Sequence, residues 1–586
     1  MTLEYRRRVR RLPPARAFPS IIARRQRGVR NVYRQSTRAL AALEHIKDRY
    51  GLDGARRKLA LLAELDRARL PTAGQVERLH EALCFLRAYP DDARIAARVE
   101  RMLRSFARRA DLRRNRARLA DSGIAGTTIR YRFFWPTARW LAYRWPAQFR
   151  FDRNDGAAGD NIAAALPLLV TPAEAQWLRE REPEGYDALD ALRGRTTDAA
   201  WMVRAVDAMP GDTFTREAFY DRLDPSCELV PGRDTPTRTL DRHGTAPAAF
   251  RTVPLRRARP DLRAEIRRPP RAVRTLGPAE GLRIVELARG AMITRKRDLD
   301  AFAYGDARDV RIVDDGDGLA FALIGVAPER RTLLAAVYGA LTLQNGVPIG
   351  YSQLDVVAGT AAVSFNTFPT FRGGEAAHAF ARLLALARHV LGAMSCSIEP
   401  YQLGEGNEEG IESGAWWFYF KLGFRPRAAL PRRIAQREAA RMRANPRHRS
   451  SPATLRRLAH GHLFLDFDPA RRRGLPPVAA LGERAAAIVA RAAAPDRSTG
   501  LDEASRALMR LTGVRSLQGF SRDERAAWRR WSPFALALPG VARWRAAERR
   551  ALARVVRAKG GRRESDFAAL VDAQPKLARA LLVHGR

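Results

Sequence analysis

Residues 372–424 leave this chain few ways to fold. Gly373 and Gly374 open a helical run, EAAHAFARLLALARHVL, in which Phe380, Leu383, Leu384, Ala387 and Leu391 recur at three- and four-residue steps. A short apolar segment, 395–399, follows and is closed by Pro400. The stretch ends in GAWWFYFKLGF, an aromatic helix-length run that stops on a Gly-Phe pair. Strand signals lie just upstream. Segments 310–313 and 319–326 flank a DDGDG turn. Segments 333–343 and 347–357 flank Asn345-Gly346, a dipeptide that tolerates positive φ at both central positions of a tight hairpin. A further strand is expected at 360–368, and an opening strand at 272–276 with a helix at 278–291. Within 360–368, Ala361, Val363 and Phe365 alternate but Phe368 falls out of phase, which predicts a β-bulge.

A glycine pair ahead of a helix is a seat for phosphate, because free backbone N–H groups and the helix dipole converge there. The run A-W-W-F-Y-F-K-L-G-F at 415–424 resembles the A-x-x-(F/L)-Y-x-K-x-G-F signature of the GNAT superfamily of acyl-CoA N-acyltransferases. The resemblance covers 310–427 and is sharpest from Arg372 onward. It implies two neighbouring strands splayed at a bulge, with the pantetheine arm of acetyl-CoA or another acyl-CoA between them. It also implies a diphosphate held at the loop. The cofactor-binding candidates are Phe365 on the strand and Phe371, Arg372, Gly373, Gly374, Glu375 and Ala376 in the loop. Against the family's loop, (Q/R)-x-x-G-x-(G/A), Gly374 and Ala376 match the last two positions, while Phe371 holds the basic position and Arg372 stands one step later.

Tyr419 falls where the family keeps its proton donor, and a phenol near pKa 10 suits a departing thiolate. Segment 360–368 has no carboxylate, so Glu399 and Glu412 are the candidate bases by position, with Glu405 and Asp355 behind them. The acidic, Gly-rich segment 401–412 either caps the next helix or lines an amine pocket. No metal is expected, because His460 and His462 lack nearby Cys or carboxylate ligands. Cys84, Cys227 and Cys396 show neither C-x-x-C spacing nor a nucleophile signature.

The flanks are basic and mostly helical. The chain carries 105 basic against 63 acidic residues, a net charge of +42. A surface so charged attracts polyanions, whether nucleic acid, an acyl-carrier protein or anionic membrane. Only six of the cations are lysine, a skew that fits a GC-rich genome and says little about function. At 586 residues several domains are expected. They are a basic helical region at 1–125, an aromatic, Arg-rich segment with mixed linker at 126–270, the GNAT-like unit at 271–430, and a helical region at 431–586. The fold class is α/β (α+β): a GNAT-like mixed sheet flanked by mainly α-helical N- and C-terminal regions. In 127–153 aromatics and arginines interleave. They form a packed segment with arginines over rings, a stacking platform for single-stranded nucleic acid, or a membrane-surface anchor. The N-terminus lacks an apolar signal core, and no apolar run approaches the ~18 residues of a membrane span, so a cytoplasmic location is expected.

Two functions follow from the resemblance. One is acyl transfer from acyl-CoA to an amine acceptor that the residues leave open. The other is a catalytically degenerate scaffold serving as a binding module in a nucleic-acid- or membrane-associated protein. An acyl-carrier protein or aminoacyl-tRNA as donor is a third route, seated by the basic surface.

Overall fold

The computed structural model describes residues 19–244, 249–468, 474–492 and 496–582. The basic segment 1–18 and the start of the turn expected at 472–477 lie outside the described residues. Three short strands come first: β1 (Ile129–Tyr131), β2 (Phe149–Phe151) and β3 (Cys227–Leu229). Next are β4 (Ala272–Thr275), β5 (Gly305–Gly316), β6 (Leu319–Val326), β7 (Ala336–Gln344), β8 (Val347–Val357) and β9 (Thr360–Thr367). The last are β10 (Ser395–Ile398), β11 (Arg425–Pro426) and β12 (Leu463–Asp466).

The alternating text upstream of the glycine pair builds one mixed sheet, ordered β11-β12-β10-β9-β8-β7-β6-β5-β4. From β4 to β9 each strand pairs antiparallel with the next. β9 and β10 run parallel, which requires a crossover. The helix Ala376–Leu391 is that crossover. At the β7–β8 turn Asn345 and Gly346 have φ of 51° and 76°, the left-handed pair such a hairpin needs. The Asn345 side chain accepts from Ala249 N at 2.6 Å and donates to Ala88 O at 2.8 Å, tying the turn to the N-terminal helices.

The bulge lies elsewhere than expected. β8 and β9 keep an unbroken register from Gly350↔Thr367 to Val357↔Thr360. The shift falls between Thr342 and Leu343 of β7, opposite Gly350 and Pro348, so Ile349 of β8 is the extra residue. Phe368 is out of phase because the strand has ended at Thr367. Its amide donates to Ile349 O at 2.9 Å, and its ring turns to the N-terminal helices.

Both faces of the sheet are covered. Leu354, Val356 and Val363 pack on the helix Ala376–Leu391 and on C-terminal helices that include Arg522–Ala537 and Ala546–Ala558. Ile324, Leu341 and Ile349 pack on the helix Pro278–Ile293 and on the N-terminal helices Leu52–Arg67 and Ala73–Ala88.

The packing departs from the expected division in two places. Segment 126–270 contains a folded unit rather than a segment and linker: β1, β3 and β2 form a small sheet, with helices such as Trp135–Arg144 and Asp198–Ala208 around its own core. Phe133, Trp135, Trp145, Phe149 and Phe151 are buried there, and Arg144 lies over Trp145, so most of the aromatic run is packing. At the other boundary, β12 comes from the region beyond 430 yet lies between β10 and β11. No helix among the described residues is long and apolar enough to cross a membrane.

Candidate functional site

The site begins where β9 and β10 part. Their pairing covers Thr360 to Ala362 against Ser395 to Ser397 and then ends, while β9 continues to Thr367. Beyond Ala362 the backbone edge of β9 that faces β10 is off the ladder. Alternation sends Val363 and Phe365 to the face carrying the helix Ala376–Leu391, and Ala362, Ser364 and Asn366 to the opposite face.

On that opposite face a crevice of ≈30 Å³ is lined by Asp355, Ser364, Glu399 and Gln402, among others. Asp355 is half-buried on β8, and its Oδ1 accepts from Gln353 Nε2 at 3.0 Å. Burial pushes the Asp355 carboxyl up to about 6 against that hydrogen bond, and the charges of Glu399 and Glu564 add to the rise. Glu399 is exposed at the end of β10, where it starts the short helix Pro400–Leu403. Two carboxylates therefore meet at the parting, one poised to titrate near neutrality. Such a pair can hold a cationic amine and remove a proton from it.

On the near face the Phe365 and Phe380 rings are 5.1 Å apart, and Phe380 meets Tyr419 at 5.5 Å. Tyr419 sits on the helix Ala415–Leu422 and is 3% exposed, with Phe418 and Phe424 also against its ring. Its hydroxyl makes no hydrogen bond to a described residue, and burial pushes the phenol up, which keeps it protonated. The neighbouring tryptophans have structural partners: Trp416 Nε1 donates to Leu458 O and Trp417 Nε1 to Ser450 Oγ, both at 3.1 Å.

The loop candidates divide. Gly373, at φ 86°, would place a Cβ in open space, so a ligand can approach its backbone. No side chain caps the first turn of the helix Ala376–Leu391, which leaves the amides of Ala376, Ala377 and His378 available for an anion. Arg257 Nε donates to Gly373 O at 2.9 Å while its Nη2 is held by Asp48, and exposed Arg372 reaches Glu409 at 2.8 Å, so two guanidiniums, each paired with a carboxylate, border the turn. The Gly374 amide is engaged, donating to Phe371 O at 3.0 Å. Phe371 is buried against the N-terminal helices, away from the loop's open side. Glu375 turns inward and is 7% exposed; Arg251 grips both its oxygens and Arg256 N donates to it at 2.9 Å. That carboxylate anchors the 249–257 segment to the helix and is not part of the seat.

Glu412 is exposed at the end of the helix Glu408–Glu412, with no ion pair or hydrogen bond to a described residue. Glu405 pairs with His460 at 2.9 Å. The acidic segment acts mainly as a cap: Glu408 and Glu409 sit in the first turn, and the Asn407 side chain accepts from Gly410 N. Cys84 lies 3.7 Å from His80, a pairing that resembles an activated thiol, yet both are buried. Burial pushes the Cys84 thiol up to about 12 and the His80 imidazole down to about 4, the reverse of activation.

The crevice brings Asp355, the last of the base candidates by position, together with Glu399, and YSQLDVV carried the signal: Tyr351, Gln353 and Asp355 alternate with buried Leu354 and Val356. The sequence had no signal for Arg251, Arg256 or Arg257, which reach the loop from more than a hundred residues away. Searches of family models, curated proteins and solved structures give no match to this chain.

Proposed function

We propose that the unit around β9 and β10 transfers an acyl group, such as acetyl, from acyl-CoA to an amine. One observation carries this reading: the parallel pair β9 and β10 separates after three residue pairs, directly between a carboxylate crevice and an uncapped helix start. The free edge of β9 can hydrogen-bond an extended amide-bearing arm, as any unpaired strand edge does. The amides of Ala376 to His378, with Arg372 and Arg257 beside them, suit a diphosphate.

In this reading Asp355, with Glu399 beside it, takes a proton from the acceptor ammonium. The free amine nitrogen attacks the thioester carbonyl carbon, a C–N bond forms, and the C–S bond breaks. Tyr419 donates its proton to the leaving thiolate, and its phenolate then takes the surplus proton from the amide nitrogen, which restores the phenol. The crevice is narrow, ≈30 Å³, so entry of the arm requires lining side chains such as Glu399 and Gln402 to move. That narrowness also supports a second reading, a scaffold that binds without turning over.

The test is release of free CoA thiol from acetyl-CoA in the presence of a panel of primary amines. Amine-dependent release that falls in Glu399→Gln supports transfer. Binding of acetyl-CoA with no release from any amine supports the scaffold, and neither binding nor release removes both.

A further inference from the structure

We infer that the C-terminal helices carry a binding groove for single-stranded nucleic acid, independent of the β9–β10 site. A groove of ≈580 Å³ lies between the end of the helix Arg497–Thr512 and the helix Ala546–Ala558. Its walls carry Arg510, Arg549, Arg550, Arg554 and Arg557, and no acidic side chain lines it among the described residues. The last four arginines lie along one side of the helix Ala546–Ala558, at helical spacings of one, four and three residues. Arg557 is held by Glu524 at 2.9 Å. Arg510, Arg549, Arg550 and Arg554 make no side-chain hydrogen bond or ion pair with a described residue, and Arg549 Nε is buried without a partner.

Elsewhere on this basic chain many arginines are matched by carboxylates, as Arg153 is by Asp190 and Asp198. Guanidiniums crowded without counter-charge repel one another, and a dense external anion relieves that repulsion. The floor is apolar: Leu511, Val514 and Phe520 are half-buried in it. Arg557 lies 4.5 Å from the Phe520 ring centroid.

A single strand fits both features. Each nucleotide brings one charge whose two free oxygens accept a guanidinium fork, and a flat base to lay on an apolar floor. An acidic peptide brings charge without flat apolar faces. A duplex presents its phosphates on a convex surface too broad for a groove of this volume.

The test uses the full chain and a labelled RNA strand of about twelve nucleotides, read by fluorescence anisotropy against salt. With about five phosphates engaged, log affinity falls with log salt at a slope of roughly −3.5. The triple variant Arg549→Gln/Arg550→Gln/Arg554→Gln should bind at least about tenfold more weakly, with a slope shallower by about 2. The variant Arg113→Gln/Arg114→Gln/Arg116→Gln removes equal charge from exposed positions of the N-terminal region and should stay within about twofold of wild type. Equal losses in the two variants would overturn the groove as the site, as would absence of binding. Equal affinity for the duplex would overturn the single-strand assignment, and so would displacement by polyglutamate at matched charge.

Discussion

Asp355 and Tyr419 are the residues on which the proposed transfer turns. Burial pushes the Asp355 carboxyl up from 3.8 to about 6, and it acts as a base only when ionised. Transfer should therefore rise with pH through about 6, and Asp355→Asn should remove that limb of the rate profile. Stability responds in the opposite sense. A carboxyl whose folded value lies above its unfolded one keeps its proton longer in the native state, so native stability declines as pH rises from 3.8 to about 6. Thermal melts across that window should show the decline in wild type and less of it in Asp355→Asn. Tyr419→Phe removes a hydroxyl that bonds to no described residue, so the melting temperature should hold nearly constant. Turnover should fall by ~10²-fold or more with acetyl-CoA affinity little changed, as loss of a general acid requires. An unchanged rate would return Tyr419 to the aromatic core in which it is packed.

At the scale of elements, periodicity reported what each helix and strand buries but not what lies against it. The strand β9 and the crossover helix follow from two-residue and three-to-four-residue spacings, and β6 and β8 from the turns that precede them. The bulge did not, because alternation records a slip in phase without saying whether the strand kinks or simply stops. Arg382 makes the same point. It stands off the apolar stripe of its helix, yet it is 0% exposed. The helix Leu262–Arg267 covers that side, and Arg382 donates to Asp315 at 2.6 Å and to the carbonyls of Glu265, Arg268 and Pro269. Arg382→Ala leaves Asp315 and these carbonyls without that donor and should destabilise the fold by ~3–5 kcal/mol. Arg388→Ala, in the last turn of the same helix, should shift it by less than ~1 kcal/mol. Denaturant melts of the two variants make the comparison.

For the whole molecule, composition could not divide the chain. The unit expected to end at 430 depends on the residues C-terminal to it. β12 completes the sheet between β10 and β11, and Arg331 donates to the carbonyls of Lys559, Gly561 and Arg562. Lys559 in turn bonds Ala335 O and Glu564. A chain truncated after 430 should expose the open edge of β10 and half a core, and should aggregate rather than fold. A soluble, cooperatively melting fragment would refute that dependence. The gap beside β10 belongs to the same intact sheet, and it can be probed by titrating acetyl-CoA calorimetrically into the wild-type chain and into Ser364→Trp, whose indole would fill the crevice. Saturable one-to-one binding by wild type, lost in Ser364→Trp at an unchanged melting temperature, is the expected result. No binding at millimolar ligand, or equal binding by both proteins, would contradict a thioester site between β9 and β10.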